Sequence, residues 1–315
     1  MKHTLYALIV LAGCGPKSAP VDPASTPADS DGTSISSIVL GDMDLTADPC
    51  TDFYQYACGS WIDRTELPAD KPSWTRSFSV IAEQNRTFLR SLLERAAQSP
   101  ESGDEDWAKM GRYYGACMDE AGIETAGLTG VQPLLDQIDA VTSADQLMPL
   151  LAQLHSANVN AFFSPQVEGD FKNPQLTILH LGQGGIGLPD RDYYLKTDEK
   201  STDLLVEYQH FIQSILALSG TSETDAAAWA PGILALETAL ATAHKPRSEL
   251  RDPTAIYHKI DRTGLIADVG VVDWAAWLEA SGGADIQDIN VETLEVLAAT
   301  ANLMQTTDLA VVKAY

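Results

Sequence analysis

Residues 49–62 read Pro-Cys-Thr-Asp-Phe-Tyr-Gln-Tyr-Ala-Cys-Gly-Ser-Trp-Ile. Two cysteines and four aromatic residues within one short segment are typical of a small packed cluster, because aromatic side chains bury large apolar areas. We therefore expect this segment to serve the scaffold rather than to contact a substrate. The residues concerned are Asp52, Phe53, Tyr54, Tyr56 and Trp61.

Three further segments follow in order. Residues 67–71 read Leu-Pro-Ala-Asp-Lys, residues 114–120 read Tyr-Gly-Ala-Cys-Met-Asp-Glu, and residues 187–195 read Gly-Leu-Pro-Asp-Arg-Asp-Tyr-Tyr-Leu. Together with residues 49–62 they resemble the neprilysin-like zinc metallopeptidases, the family of neprilysin and endothelin-converting enzyme. The resemblance covers about residues 42–315 and implies a mainly α fold. It would be the multi-helix N-terminal region of such a peptidase, with a small β-hairpin, incomplete without its C-terminal half.

The zinc-binding motif of that family, His-Glu-x-x-His on a helix, does not occur in the 315 residues. Six histidines lie at positions 3, 155, 180, 210, 244 and 258, and no two of them are three to five residues apart. Two imidazoles on adjacent turns of a helix therefore cannot face one metal ion. We expect no catalytic and no metal-binding residue in this chain. The resemblance implies zinc in the full-length parent only.

The N-terminus has the pattern of an export signal. Residues 1–14 combine an early lysine with an apolar run, and Leu-Ala-Gly-Cys at 11–14 resembles a bacterial lipobox with lipidation at Cys14. An ordinary cleaved signal is the alternative. Residues 15–40 are rich in Pro, Ser, Asp and Thr, which predicts a flexible tether before a domain at 41–315. We expect a lipid-anchored protein of the bacterial envelope, attached to the outer membrane and facing the periplasm or the exterior.

Three cysteines remain after Cys14, at positions 50, 58 and 117. An odd number in an oxidising compartment leaves at least one without a partner inside the chain. The resemblance implies disulfides from Cys50, Cys58 and Cys117 to cysteines far downstream. The alternative is that one of the three is a buried free cysteine and the other two pair locally, and a bridge between Cys50 and Cys58 is sterically possible but not required.

A net charge of −24, from 44 acidic and 20 basic residues, argues against a nucleic-acid partner. Hydrophobic periodicity predicts an α-helical chain interrupted by one hairpin, with strands at 161–167 and 176–181. A capping box is predicted at Ser143 and Gln146. The predicted helices span 76–98, from near 104 to 117, 133–141, 143–158, 201–218, 224–243, 274–280 and 291–305.

Two short motifs suggest chemistry and are better explained as structure. Residues 182–187, Gly-Gln-Gly-Gly-Ile-Gly, match the dinucleotide-binding pattern, but Leu-Pro-Asp follows where a helix should begin, and no βαβ alternation surrounds them. The charges of Asp190, Arg191 and Asp192 predict a turn held by local ion pairs, with Tyr193 and Tyr194 packed beneath it.

The one candidate substrate-binding residue is Arg76. In the resembled family an arginine after the Pro-Ala-Asp-Lys-like segment helps to bind the peptide. Ser73 occupies the aligned position here, and one extra residue would bring Arg76 to the same place.

We therefore expect the N-terminal lid and scaffold part of a secreted zinc metalloendopeptidase that hydrolyses small peptides. Its partner would be a C-terminal catalytic half beyond Tyr315. The alternative is a non-catalytic envelope lipoprotein that uses the same scaffold to bind peptides or proteins. A periplasmic solute-binding protein is a weaker third interpretation, because the α/β alternation of those folds is missing.

Overall fold

The computed structural model describes residues 35–68 and 74–315. They form two compact units, one extending to Asp119 and the other running from Glu120 to Tyr315. The predicted tether at 15–40 and the predicted domain at 41–315 stay predictions. The first described helix starts at Ile35, within the range predicted as tether.

The first unit is built from helices. They are α1 (Ile35–Asp42), α2 (Phe53–Arg64), α3 (Phe78–Gln98) and α4 (Glu105–Cys117). The predicted helix at 76–98 and the predicted start near Asp104 are confirmed, and the Asp104 carboxylate caps α4 by accepting from the Trp107 backbone N–H at 2.9 Å. α3 packs on α4 so closely that a Cβ at Gly111 would lie 2.2 Å from the carbonyl oxygen of Ala96. Only glycine fits at that crossing.

The packed cluster predicted for residues 49–62 is wrong for two of its aromatics. Phe53 and Tyr54 lie in the first turn of α2 and are 68% and 69% exposed. Tyr56 and Trp61 are half-buried, and Asp52 caps the helix by accepting from the Gln55 N–H. The amphipathic pattern was sufficient to predict α3 and α4, but it did not reveal which apolar faces the first unit would leave uncovered.

The second unit surrounds a four-stranded sheet with helices. Its elements are α5 (Glu120–Ala126), α6 (Gln132–Asp139), α7 (Leu147–Ser156), β1 (Phe163–Asp170), β2 (Asn173–Gln183), α8 (Asp192–Leu195), α9 (Glu199–Leu218), α10 (Glu223–Ala243), β3 (Lys259–Asp261), α11 (Arg262–Asp268), α12 (Trp274–Ala280), β4 (Asp288–Val291), α13 (Leu294–Thr306) and α14 (Leu309–Ala314).

The predicted hairpin is confirmed and is part of a larger sheet. The strand order is β1-β2-β4-β3, in which β1–β2 and β3–β4 are antiparallel and β2–β4 is parallel. The predicted helix at 291–305 is wrong at its start, because Val291 is fully buried at the end of β4 and the helix begins at Leu294. Short apolar runs occur in both strands and helices, so periodicity alone does not distinguish them. Here residues 288–291 form a strand because they pair with β2.

The core lies between the sheet and the surrounding helices. Phe163 of β1 packs against Trp274 and Trp277 of α12, with ring centroids 5.2 and 5.4 Å apart. α10 is long and apolar enough to cross a membrane, but it is a core helix here, with Leu240 and Ala241 fully buried.

The predicted capping box at Ser143 and Gln146 is wrong. Ser143 makes no side-chain cap, and Gln146 Oε1 instead accepts from the Thr142 N–H at 2.7 Å.

A buried ion pair closes the far end of the hairpin. The Asp170 carboxylate, 2% exposed, accepts from Lys259 Nζ at 3.1 Å, from the Tyr257 hydroxyl at 2.9 Å and from the Lys172 N–H at 2.8 Å. These contacts, led by the backbone N–H of Lys172, lower the pKa of Asp170 to about 2.

We expect this carboxylate to make stability depend on acid pH. A lowered pKa means that the contribution is complete above the ordinary value of 3.8 and is lost as pH falls from there towards 2. At pH 6, the urea concentration at the midpoint of unfolding should therefore be lower for Asp170→Asn than for the wild type. The difference between the two midpoints should be smaller at pH 2.5. Asp203→Asn, at an exposed site of α9, is the matched control. A gap that stays constant with pH would contradict this role for Asp170.

Candidate functional site

The predicted substrate-binding residue, Arg76, is held by a buried carboxylate of the first unit. Its guanidinium forms an ion pair with Asp42, the last residue of α1, which is 4% exposed. Arg64 of α2 binds the same carboxylate and also donates to the carbonyl of Gly41 at 2.7 Å. Arg76 thus has a structural partner, while its side chain remains 38% exposed. Its role in substrate binding stays a prediction, and Ser73 lies outside the described residues.

The three cysteines of the described part are free thiols. Cys50 and Cys117 are exposed and Cys58 is half-buried, and no disulfide joins any two of them in the described part of the chain. Pairing with downstream cysteines stays a prediction. Cys14 and the proposed lipobox lie outside the described residues.

The second unit presents a loop that carries the family-like segment at 187–195. It leaves β2 at Gln183 and reaches α8 at Asp192, passing through Gly185 in the left-handed region at φ +81°. A Cβ there would lie 2.6 Å from the backbone of Phe162. The glycine-rich stretch therefore permits a close backbone approach, and no helix begins at Gly187 to receive a pyrophosphate.

A buried carboxylate of α10 anchors this loop. Glu237 Oε2 accepts from the Tyr194 hydroxyl at 2.5 Å, from the Tyr208 hydroxyl at 2.9 Å and from the Gly187 N–H at 3.3 Å. Tyr194 also accepts from the Leu188 N–H at 2.9 Å. Burial raises the pKa of Glu237, although the tyrosine hydrogen bonds work against that rise. Burial likewise raises the pKa of Tyr194, so both phenols remain donors at neutral pH.

Tyr315 fastens the other end of the loop. Its hydroxyl donates to the carbonyl of Gly185 at 2.6 Å and accepts from the N–H of Phe162 at 3.1 Å, and the rings of Tyr315 and Phe162 meet edge to face at 4.9 Å. Two residues earlier, Lys313 donates to the carbonyl of Asp139 at 2.7 Å. The loop is therefore fixed from α10 and from α14.

The predicted local turn at 190–192 is correct only in part. Asp190 does accept from the Asp192 N–H, but its ion pair is with Arg247, 3.0 Å away, and Arg191 donates to the carbonyl of Ala241 at 3.1 Å. These charges attach the turn to distant segments. Of the two tyrosines, Tyr194 is buried as predicted and Tyr193 is 41% exposed.

Sequence reasoning missed Glu237, although a signal was available. It is a lone carboxylate in the apolar run Ile-Leu-Ala-Leu-Glu-Thr-Ala-Leu at 233–240, and carboxylates seldom enter such a helix face without partners.

The histidines and acids do not form a metal-binding set. Within residues 35–68 and 74–315, no group of three His, Cys, Asp or Glu side chains could hold a metal ion. His155 illustrates why: its Nε2–H donates to the carbonyl of Ala161, and its Nδ1 accepts from the indole N–H of Trp277. The histidines and acids of the described part therefore do not fit a zinc ion.

Comparisons with known proteins agree with this architecture. Residues 49–315 match the sequence model of the N-terminal domain of peptidase family M13. Endothelin-converting enzyme 1 of Cavia porcellus is 31% identical over 293 residues, which cover 90% of this chain and 38% of that protein. Neprilysin-3 of Drosophila melanogaster is 31% identical over 249 residues, or 76% of this chain and 31% of that protein.

A solved structure gives the same result. The zinc metalloprotease Zmp1 of Mycobacterium tuberculosis, in complex with an inhibitor, superposes with a TM-score of 0.78 at 29% identity, covering 87% of this chain and 42% of that one. This chain therefore belongs to peptidase family M13 and corresponds to its N-terminal part, which confirms the predicted family and the mainly α fold. It spans 38% of the length of the Cavia porcellus relative.

Proposed function

We propose that this chain is the lid and scaffold part of a secreted zinc metalloendopeptidase that cleaves small peptides. The observation that carries the proposal is the family match over residues 49–315, in a sequence without a His-Glu-x-x-His motif. Zinc and its ligands would belong to a C-terminal catalytic half, where zinc would polarise the peptide carbonyl and activate water. This chain would contribute shape and access to the cavity.

Exposed apolar residues in the first unit support a partner polypeptide. Phe78, Phe88 and Leu89 on α3 are 85%, 61% and 55% exposed, and Tyr113 on α4 is 76% exposed. Apolar surface of this extent is typical of an interface rather than of a free surface. The catalytic half is the partner that the family match favours.

Export and lipidation belong to the same proposal. The pattern at 11–14 would place a lipid on Cys14 and hold the peptidase at the outer membrane. The acidic composition suits such an extracytoplasmic location and argues against a nucleic-acid partner.

The first experiment reads the coding DNA beyond codon 315 and then expresses the complete reading frame. We expect an in-frame continuation with a zinc motif, and a product that cleaves a fluorogenic peptide of about ten residues and loses activity with a chelator. The 315-residue chain alone should show no cleavage. A stop codon directly after Tyr315 would refute the proposal and favour the non-catalytic lipoprotein.

The same assay tests Arg76 as a substrate contact. Arg76→Ala in the complete enzyme should raise KM about tenfold if the guanidinium holds the peptide, since a charged hydrogen bond contributes about 1.5–3 kcal/mol. Arg90→Ala, which removes an exposed arginine paired with Glu94 on α3, is the matched control. Equal KM values in the two variants would show that Arg76 does not hold the peptide and serves only as the ion-pair partner of Asp42.

A further inference from the structure

A cleft of about 470 Å³ lies in the second unit, where α6, α9, α10 and α14 meet. Most of its wall is apolar and comes from all four helices. The main apolar residues are Leu135, Ile138, Leu216, Trp229 and Leu309. Clefts of about 300–1,000 Å³ that are lined by apolar residues and a few polar groups are typical of small-molecule sites. The size and lining of this cleft therefore suit a small, largely apolar ligand.

One ammonium group, that of Lys313, stands at this apolar wall. Its Nζ donates to the carbonyl oxygens of Asp139 and Val141, at 2.7 and 3.3 Å. Both acceptors are neutral groups. Within the described part of the chain no carboxylate forms an ion pair with Lys313, and this includes the exposed carboxylate of Asp139. An ammonium has three N–H donors, so one donor and a positive charge remain for a ligand.

Trp229 offers a second donor at the same cleft. Its side chain is half-buried, and its indole N–H donates to no residue in the described part. The indole N–H groups of Trp274 and Trp277, in contrast, donate to the carbonyl of Val269 and to His155 Nδ1. Indole N–H groups usually find an acceptor when they are buried. The cleft thus combines an apolar wall with two available donors, one of which is charged.

We propose that this cleft binds an apolar monocarboxylate, with its apolar body against Leu216 and Trp229 and its carboxylate at Lys313. Removal of the apolar body from water drives the association. A hydrogen bond between an ammonium and a carboxylate is stronger than one between neutral groups, so the cleft should prefer an acid to an alcohol of equal length. The site goes beyond the proposed function, because it requires neither zinc nor a catalytic half.

The test measures the melting temperature of the 315-residue chain with octanoate and with octanol, at constant ionic strength. If the dissociation constant for octanoate is about 0.1 mM, about 1 mM octanoate should raise the melting temperature by about 3–5 °C. Octanol should raise it less. Lys313→Met should reduce the octanoate effect to that of octanol, relative to its own ligand-free value, and leave the octanol effect unchanged. Lys200→Met, at an exposed site of the same unit, should behave as the wild type.

A bulky residue at the mouth of the cleft tests its location. Ala310 lines the cleft and is exposed, so a larger side chain there narrows the cleft without entering the core. Ala310→Trp should abolish the effect of both ligands. Ala267→Trp, at an exposed position of α11, is the matched control and should retain both effects.

A second acid distinguishes two sources of the ligand. Octanoate represents a fatty acid, and N-acetyl-leucyl-leucine represents the carboxyl end of an apolar peptide. The acid that gives the larger rise identifies the source. Equal rises with octanoate and octanol in the wild type, a full octanoate effect in Lys313→Met, or no rise with any ligand would overturn the proposal.

Carbon NMR of octanoate labelled at its carboxyl carbon covers a variant that does not melt cooperatively. The carboxyl line should broaden in the presence of the wild-type chain and broaden less with Lys313→Met at the same protein concentration. Equal broadening by both proteins would count against the site. Peptide hydrolysis enters none of these measurements, so failure here is distinguishable from failure of the peptidase proposal.

Discussion

Glu237→Ala should lower the free energy of unfolding of the second unit by about 3–5 kcal/mol, since it removes a buried acceptor from charged hydrogen bonds. The Tyr194 hydroxyl, the Tyr208 hydroxyl and the Gly187 N–H would all lose the same carboxylate. Urea unfolding followed by tryptophan fluorescence measures the change. Glu207→Ala, at an exposed position of α9, is the matched control and should change stability by less than about 0.5 kcal/mol.

Glu237→Gln separates the charge from the hydrogen bonds. It retains one acceptor oxygen, so we expect a smaller loss than with alanine. Because burial raises the pKa of Glu237 above 4.5, the folded protein holds this proton at a pH where the unfolded chain has released it. Stability from this group therefore rises as pH falls through the folded pKa, and levels off below 4.5. Over that pH range the free energy of unfolding of the wild type should rise relative to that of Glu237→Gln. A difference in stability between the two proteins that does not change with pH would contradict a carboxylate destabilised by burial.

Gly185→Ala should cost about 2–5 kcal/mol, because two penalties act at one position. A φ of +81° costs an L residue about 1–2 kcal/mol, and forcing a methyl group into occupied space costs about 1–3 kcal/mol more. The added Cβ would meet the backbone of Phe162 and the hydroxyl of Tyr315, each at 2.6 Å. Thermal unfolding of the chain measures the loss.

Gly220→Ala isolates the backbone penalty. Gly220 has a φ of +94°, and no atom lies within 4 Å of the position its Cβ would take. Its alanine variant should therefore lose only about 1–2 kcal/mol. If Gly185→Ala and Gly220→Ala lost the same stability, Phe162 and Tyr315 would have to move away from the added methyl group without an energetic cost.

Features that depend on near neighbours in sequence could be predicted. The three- and four-residue spacing between Phe78 and Ala96 gave α3, and the two short apolar runs at 161–167 and 176–181, separated by a turn, gave the hairpin. Each pattern is complete within its own segment. β4 could not be found in this way. Its pairing of Ile289 with Leu179 joins residues 110 positions apart and leaves no local trace.

The same limit applies to the site. The segment at 187–195 was recognised, but its contacts come from Glu237, Ala241 and Arg247, which no local pattern associates with it. The charges of Asp190 and Arg191 suggested mutual pairing, and the fold gives each a distant partner instead. For Phe53 and Tyr54, composition predicted burial, whereas the helices of the first unit leave them uncovered.

The parallel pairing of β2 with β4 also orders events at the ribosome. The hairpin of β1 and β2 can form as soon as residue 183 has emerged, but the central strand of the sheet lacks its second neighbour until residue 291 follows. At about 5–20 residues per second, the edge of β2 stays unpaired for several seconds. An open strand edge of that duration is a place where nascent chains associate wrongly, so synthesis of this unit should depend on chaperones that shield it.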